Sequence, residues 1–230
     1  MPTRANALAV MAKAPIPGSV KTRMMPPLTH EQAAELCRAL LLDQLEHLSG
    51  LGGVDLYVAF TPPEAVTLIE SIVPPRFQCF PQSGADLGAR MNAVFDELLR
   101  RGHRNLVLIG SDLPAVPVTI LNDAFQALEA ERQRVVLGPS RDGGYFLIGM
   151  NRPTPEIFSG MSWSHDRVFS QTTEKLASLG IDCETLEGWF DLDTVEDIDL
   201  LRSYPDPAVH AAMKRTVRFL QRLNRWDRFS

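Results

Sequence analysis

A basic loop follows the first apolar run of the sequence. It extends from Lys13 to Met24, contains two prolines and carries Gly18, Lys21 and Arg23. Backbone N–H groups and fixed cations in such a loop can bind phosphate oxygens. The loop has neither the G-x-x-x-x-G-K-[ST] spacing of a Walker A loop nor the G-x-G-x-x-G of a dinucleotide-binding turn. The alternative is a surface loop with solvated cations.

Carboxylates follow two later parts of the chain. Asp112 comes directly after an apolar run, and Asp191 and Asp193 stand in a short acidic stretch further along. In open α/β sheets ligands bind beyond the carboxyl ends of the strands, where paired carboxylates can hold a divalent cation. Two simpler roles compete with this one. Asp112 could cap a turn or the helix that begins at Val118, and Asp193 or Thr194 could cap a later helix.

Asp142, Gly143 and Gly144 precede a further apolar run. Adjacent glycines allow a ligand to approach the backbone closely, and they equally suit a hairpin turn between two strands.

Other catalytic motifs are missing from the sequence. The five histidines lack the H-E-x-x-H spacing of a metal site, and a G-x-S-x-G nucleophile motif is absent.

Apolar runs of β type alternate with stretches of helical periodicity from end to end. The predicted strands are 8–12, 54–60, 77–80, 106–109, 135–137 and 145–148. The predicted helices are 29–48, 64–72, 89–100, 118–131, 166–179, 194–202 and 207–226. This alternation predicts an α/β fold with right-handed crossovers, and we expect one domain over residues 1–230. The first long helix should begin with a capping box formed by Thr29 and Gln32.

Composition excludes several classes of protein. Of the 230 residues, 45% are hydrophobic and 22% charged, which are ordinary globular values. The net charge is −5. Residues 208–230 carry +5, so the first 207 residues carry −10. An acidic body argues against nucleic-acid binding. No apolar run is long enough for a signal peptide or a membrane span, so we expect a cytoplasmic protein.

The three cysteines, Cys37, Cys79 and Cys183, are widely spaced. This spacing predicts neither a disulfide framework nor a Cys-rich zinc site. Cys37 falls on the apolar face of the first long helix, so we expect its side chain in the core.

In combination, the motifs resemble a bacterial family of transferases, the radical-SAM/selenodomain-associated transferase 1 family. The motifs are Ala12-Lys-Ala-Pro-x-Pro-Gly-x-Val-Lys-Thr-Arg23, Gly84-x-Asp-Leu-Gly-x-Arg-Met91, Gly110-Ser-Asp-Leu-Pro114, Gly138-Pro-x-x-Asp-Gly-Gly-Tyr145, Trp163-Ser164 and Asp191-x-Asp-Thr-x-x-Asp197. The resemblance covers nearly the whole chain. It implies the GT-A fold of the nucleotide-diphospho-sugar transferase superfamily, a mixed, mostly parallel sheet flanked by helices. Phospholactate guanylyltransferase and the molybdenum-cofactor nucleotidyltransferases are more distant relatives.

The resemblance also implies which residues form the site. The implied nucleotide-binding residues are Gly18, Lys21, Arg23, Gly84, Leu87 and Gly88. The implied acceptor-binding residues are Asp142, Gly143 and Gly144. The implied ligands of Mg²⁺ or Mn²⁺ are Asp112 and Asp193, and the implied catalytic residues are Lys21, Arg23 and Asp112.

Three classes of function fit these residues, and none requires a covalent nucleophile. Displacement of a diphosphate from phosphorus or from an anomeric carbon mainly requires positioning and charge neutralisation. The first class is a nucleotidyltransferase acting on a phosphorylated small acceptor, which the basic loop favours because a triphosphate carries more charge. The second is a glycosyltransferase using a nucleotide-sugar, which the superfamily favours. The third is a non-catalytic nucleotide-binding protein. The sequence selects no base, acceptor or oligomeric state.

Overall fold

The apolar runs of the sequence form one seven-stranded sheet in a computed structural model, which describes residues 4–130, 132–163 and 165–223. The strands are β1 (Asn6–Lys13), β2 (Val54–Thr61), β3 (Phe77–Pro81), β4 (Asn105–Gly110), β5 (Arg134–Pro139), β6 (Tyr145–Met150) and β7 (Asp182–Thr185). Their spatial order is β3-β2-β1-β4-β6-β5-β7. Strand β6 is antiparallel to both of its neighbours, and the other pairs are parallel. The predicted α/β class with a mixed, mostly parallel sheet is confirmed.

Helices cover both faces of this sheet. They are α1 (His30–Leu48), α2 (Val66–Ile72), α3 (Leu87–Arg100), α4 (Val118–Leu128), α5 (Val168–Ser178), α6 (Val195–Ser203), α7 (Pro207–Ala212) and α8 (Lys214–Arg222). The predicted capping box at the start of α1 is confirmed, since Thr29 and Gln32 exchange hydrogen bonds of 2.9 and 3.3 Å. Among the helices of the described residues, none has the length and apolar character to cross a bilayer.

The central strands β1, β2 and β4 are mostly apolar, and most of the residues on both of their faces are buried. Along β1, Leu8 and Val10 point into one core and Ala7 and Ala9 into the other. Successive side chains of a strand face opposite ways, so helices on both sides of a parallel sheet leave no solvated face.

Cys37 is buried as expected, and burial raises the pKa of its thiol to about 12.

The structure adds one strand to the predicted elements and shortens or divides two of the predicted helices. Strand β7 was not predicted. The helix expected over 118–131 ends at Leu128, and residue 131 lies outside the described residues. The helix expected over 207–226 is two helices, α7 and α8, separated at Met213; residues 224–226 lie outside the described part.

The buried Asp43 of α1 explains where α8 begins. Its carboxylate accepts hydrogen bonds from the backbone N–H groups of Arg215 (3.1 Å) and Thr216 (2.8 Å). It also pairs with the Arg215 guanidinium at 3.2 Å. A carboxylate at a helix N-terminus satisfies N–H groups that have no partner inside the helix. The helix boundary is therefore set by a residue distant in sequence.

Candidate functional site

The loop after β1 turns the Lys21 side chain into the protein. Lys21 is the one non-glycine residue of the described part with a positive φ (φ 51°, ψ 36°), and it precedes a short 3₁₀ helix, Thr22–Met24. Left-handed backbone is uncommon for residues other than glycine and persists where the surroundings fix it. Only 1% of the Lys21 side chain is exposed.

The Lys21 ammonium binds two carboxylates and a carbonyl. Nζ lies 2.6 Å from Oδ1 of Asp112, 3.0 Å from Oδ1 of Asp193 and 2.7 Å from the carbonyl oxygen of Leu192. An ammonium has three N–H donors, so these contacts use all of them. Burial lowers the pKa of Lys21, but the charges of Asp112 and Asp193 outweigh it, and the pKa rises above its ordinary value. The lysine is therefore a fixed cation between the two aspartates.

A segment that crosses the carboxyl ends of the strands brings Asp193 to this position. This crossing segment, residues 186–194, is held by backbone hydrogen bonds from Leu186 to Leu137 (2.9 Å), from Trp189 to Pro139 (3.0 Å) and from Leu192 to Asp112 (2.8 Å). It therefore spans from β5 to the end of β4. Asp112 follows β4, where the sequence predicted a ligand-facing carboxylate.

Helix capping at the end of the crossing segment is done by residues other than Asp193. The carboxylate of Asp197 accepts hydrogen bonds from the backbone N–H groups of Asp193 (2.9 Å) and Thr194 (2.7 Å), and Thr194 is the N-cap of α6. The side chain of Asp193 remains directed at Lys21. Asp193 thus joins the site, and capping belongs to Thr194 and Asp197.

A basic pocket of about 170 Å³ lies against this ion cluster. Its lining residues are Lys13, Ser19, Val20, Lys21, Thr22, Arg23, Asp112 and Asp193. The Arg23 side chain is 66% exposed, and its nearest carboxylate oxygen, on Asp193, is 3.9 Å away. Arg23 and Lys13 can therefore bind an anion in the pocket, whereas the donors of Lys21 are already engaged.

A second pocket, of about 390 Å³, shares Arg23 and Asp193 with the basic pocket and is acidic. Asp191 lines it and accepts a hydrogen bond from the Ser140 hydroxyl. Burial raises the pKa of Asp191 to about 6, and the charges of the neighbouring aspartates add to this effect. The acidic pocket can bind hydroxyl or ammonium groups, since carboxylates accept hydrogen bonds from them.

A third pocket, of about 170 Å³, adjoins the acidic pocket and has aromatic walls. This aromatic pocket is lined by Leu87, Ser140, Asp142, Gly144, Tyr145, Trp163, His165, Val168 and Asp191. Leu87 is 46% exposed there although it is apolar. The site residues proposed from the sequence do not include Trp163, although the Trp163-Ser164 motif of the family resemblance marks it.

Several predicted site glycines have packing or turn roles in the structure. Gly143 lies in the connection between the antiparallel strands β5 and β6, has φ 87°, and would place a Cβ 2.0 Å from the carbonyl oxygen of Asp166. The N–H of Gly144 donates to Asp142 at 3.0 Å. The hairpin alternative thus describes this segment, although Asp142 and Gly144 also line the aromatic pocket. Gly18 and Gly84 both have positive φ and are not among the lining residues of the pockets described above.

Gly88→Ala is expected to disturb the aromatic pocket. A Cβ at Gly88 would lie 2.4 Å from Cζ2 of Trp163, so the indole must move. We expect a loss of about 1 to 2 kcal/mol from overpacking, despite the better helix propensity of alanine, and a changed tryptophan emission. Thermal unfolding and fluorescence measure both. Gly52→Ala is the control, because a Cβ there meets nothing within 4 Å; equal behaviour of the two variants would contradict the packing role of Gly88.

Solved structures share the fold of this chain. A protein from Desulfovibrio desulfuricans, provisionally named a nucleotide-diphospho-sugar transferase, has a TM-score of 0.84 at 27% identity over 96% of this chain and 98% of that chain. A cytidylyltransferase from Leptospira borgpetersenii has a TM-score of 0.60 at 14% identity over 99% and 98%. A 4-diphosphocytidyl-2C-methyl-D-erythritol synthase from Anaerococcus prevotii has 0.54 at 11% over 85% and 96%. The fold is therefore of the nucleotide-diphospho-sugar transferase type.

The sequence itself matches a bacterial family. Residues 44–165, just over half of the chain, match the family described as "Uncharacterized protein conserved in bacteria (DUF2064)". This chain belongs to the DUF2064 family. The family description names no reaction, so the function is inferred from the site.

Proposed function

We propose that this protein transfers a nucleotidyl group from a nucleoside triphosphate to a phosphorylated small acceptor, with release of pyrophosphate. The observation that carries the proposal is the basic pocket, where Lys13 and Arg23 adjoin the Asp112–Asp193 pair. Cations beside a carboxylate pair are the groups that phosphoryl chemistry needs. We also propose that the protein belongs to the radical-SAM/selenodomain-associated transferase 1 family and that it is cytoplasmic.

In the proposed reaction an ionised oxygen of the acceptor phosphate attacks the α-phosphorus. The new P–O bond forms as the bond between the α-phosphorus and its bridging oxygen to the β-phosphate breaks, and pyrophosphate leaves with that electron pair. The attacking oxygen carries no proton, so the step requires no general base. Arg23 and Lys13 neutralise the charge that accumulates on the leaving pyrophosphate. We further propose that Leu87 and Gly88 contact the nucleoside, and that Asp142 and Gly144, which line the aromatic pocket together with Leu87, contact the acceptor.

The carboxylate pair fits Mg²⁺ or Mn²⁺. Asp112 and Asp193 both reach one cationic nitrogen, so their oxygens converge on a single position. Within the described residues no group of three or more His, Cys, Asp or Glu side chains could hold a metal ion. Mg²⁺ commonly takes one or two carboxylates and completes its coordination with phosphate oxygens and water. When bound, the metal would supply charge neutralisation for the phosphates.

Glycosyl transfer from a nucleotide-sugar is the second candidate, and the acidic and aromatic pockets favour it. Asp142 and Asp191 can accept hydrogen bonds from sugar hydroxyls, and Trp163 offers an apolar ring face. In this reaction the acceptor oxygen attacks the anomeric carbon, and the nucleoside diphosphate leaves.

The products distinguish the two reactions. We expect pyrophosphate from nucleoside triphosphates, and no nucleoside diphosphate from nucleotide-sugars, over a panel of phosphorylated acceptors. Arg23→Gln should raise the KM for the triphosphate about tenfold or more, because charge-assisted hydrogen bonds to a phosphate are lost. Coupled assays for pyrophosphate and for nucleoside diphosphate measure both reactions.

Arg104→Gln is the matched control. Arg104 immediately precedes β4, at the amino ends of the parallel strands, whereas the basic pocket lies beyond their carboxyl ends. Its KM should equal that of the wild type. Turnover of nucleotide-sugars alone, with Arg23→Gln close to wild type, would reject nucleotidyl transfer in favour of glycosyl transfer.

A further inference from the structure

We infer that the Lys21 ammonium and a divalent cation exclude one another at the Asp112–Asp193 pair, and that a bound polyphosphate relieves this exclusion by giving Lys21 a new partner. The inference rests on the proposed nucleotide and metal site and goes beyond it. It assigns Lys21 two alternative positions: between the aspartates when the site is free of phosphate, and on phosphate oxygens when the metal is bound.

The exclusion follows from the contacts of Lys21. Its Nζ is 2.6 Å from Asp112 Oδ1 and 3.0 Å from Asp193 Oδ1. A metal ion shared by the same two oxygens would lie about 2.1 Å from each, in the space that the ammonium fills. Two cations cannot share that space, because their repulsion is only weakly screened in a buried position. A metal ion at this position therefore enters only when the ammonium leaves.

Moving the Lys21 ammonium away from the two aspartates has a free-energy cost. Moving Lys21 breaks three hydrogen bonds at once, including the one to the Leu192 carbonyl at 2.7 Å. An ammonium without replacement partners in a buried position is strongly unfavourable. A divalent cation alone offers nothing in exchange, so it should bind weakly.

A polyphosphate supplies the exchange partner. The basic pocket lies directly against Lys21, with Ser19, Thr22 and Arg23 on its other walls. Phosphate oxygens there can accept hydrogen bonds from the three N–H donors that Lys21 withdraws from the two aspartates and the Leu192 carbonyl. The four-carbon stem of lysine permits such a move, since it is flexible and ends in a compact charge. Metal and polyphosphate should therefore each increase the affinity for the other.

Binding of Mn²⁺, measured as protein-bound metal by equilibrium dialysis with the same pyrophosphate concentration on both sides of the membrane, tests the inference without any assay of activity. Inorganic pyrophosphate is the probe for the polyphosphate. We expect wild type to bind Mn²⁺ weakly alone and at least about tenfold more tightly with saturating pyrophosphate. Lys21→Met, which keeps the length and removes the charge, should bind Mn²⁺ at least about tenfold more tightly than wild type without pyrophosphate. Pyrophosphate should then add much less.

The double variant Lys21→Met/Asp112→Asn is the control. It should lose the gain in Mn²⁺ affinity, which locates that gain at the aspartate pair. Equal Mn²⁺ affinity in wild type and Lys21→Met, with pyrophosphate still bound, would overturn the exclusion and leave the proposed function standing. A tighter Mn²⁺ site in Lys21→Met, with no effect of pyrophosphate on either protein, would overturn the exchange and the proposed function together.

Wild type alone provides a second measurement if Lys21→Met fails to fold. Acetylation of Lys21 by acetic anhydride, quantified by peptide mass spectrometry, should be slow in the free protein because its three donors are engaged. Mn²⁺ at a concentration that fills half of the sites should accelerate it, and added pyrophosphate should slow it again. A Lys21 acetylation rate indifferent to Mn²⁺ would overturn the inference.

Discussion

Asp112→Asn is expected to abolish the metal-dependent part of the stabilisation that nucleotide and Mg²⁺ give together. With ligand at about 100 times its dissociation constant, wild type should gain about 2.7 kcal/mol, or roughly 5–10 °C in Tm. The variant keeps the volume of the side chain but removes the anion that faces Lys21 at 2.6 Å. A neutral amide attracts a metal ion far less than an ionised carboxylate does. The metal-dependent part of the shift should therefore vanish. Thermal unfolding with each ligand alone and with both measures it.

Asp123→Asn makes the same chemical change on the exposed side of α4 and is the matched control. It should respond to nucleotide and Mg²⁺ as wild type does. If Asp112→Asn also responds like wild type, Asp112 is only a turn residue and the proposed metal position is wrong. If no nucleotide stabilises wild type, with or without Mg²⁺, the nucleotide site itself is refuted.

Asp43→Ala is expected to cost about 3 kcal/mol of unfolding free energy, or roughly 6–12 °C in Tm. The carboxylate is fully buried and accepts hydrogen bonds from two N–H groups at the start of α8. Its removal leaves these donors without partners and the Arg215 guanidinium without its buried counter-ion. Urea denaturation followed by circular dichroism gives the free energy, and a shift of the midpoint with an unchanged slope is expected.

Glu46→Gln is the control for this second variant. Glu46 also pairs with Arg215, but its side chain is 57% exposed. Exposed ion pairs contribute little, so the loss should stay below about 1 kcal/mol. Equal losses from Asp43→Ala and Glu46→Gln would show that the charge pairing, and not the buried cap, fixes α8.

Most of the fold could be predicted because its signals are local. Strands β1, β2 and β4 are apolar on both faces, and the alternation of strands with helices limits the topology to few choices. Strand β7 escaped prediction because Asp182–Thr185 is a short edge strand of mixed polarity, partly or fully exposed along its length. The boundary between α7 and α8 escaped because Asp43 sets it from a distant part of the chain.

The candidate site could be predicted in part for the same reason. Asp112 follows an apolar run, and Asp193 precedes a predicted helix. These positions already predict that both carboxylates lie at the carboxyl ends of the strands. The inward turn of Lys21 could not be predicted, since it requires left-handed backbone at a lysine and a partner 171 positions away. Gly143 and Gly144 were ambiguous in the sequence, and only the pairing of β5 with β6 identifies them as a hairpin connection.

The crossing segment also ties the site to the order in which the chain folds. Lys21 and Asp112 come from the first half of the sequence, whereas Leu192 and Asp193 arrive only when residues 186–194 have docked on β4 and β5. A chain whose sheet has formed but whose crossing segment is still free has one carboxylate and an unanchored lysine. We therefore expect the proposed ligand site to be complete only after these long-range contacts have formed. During synthesis, the proposed nucleotide would then stabilise only those chains in which residues 186–194 have docked.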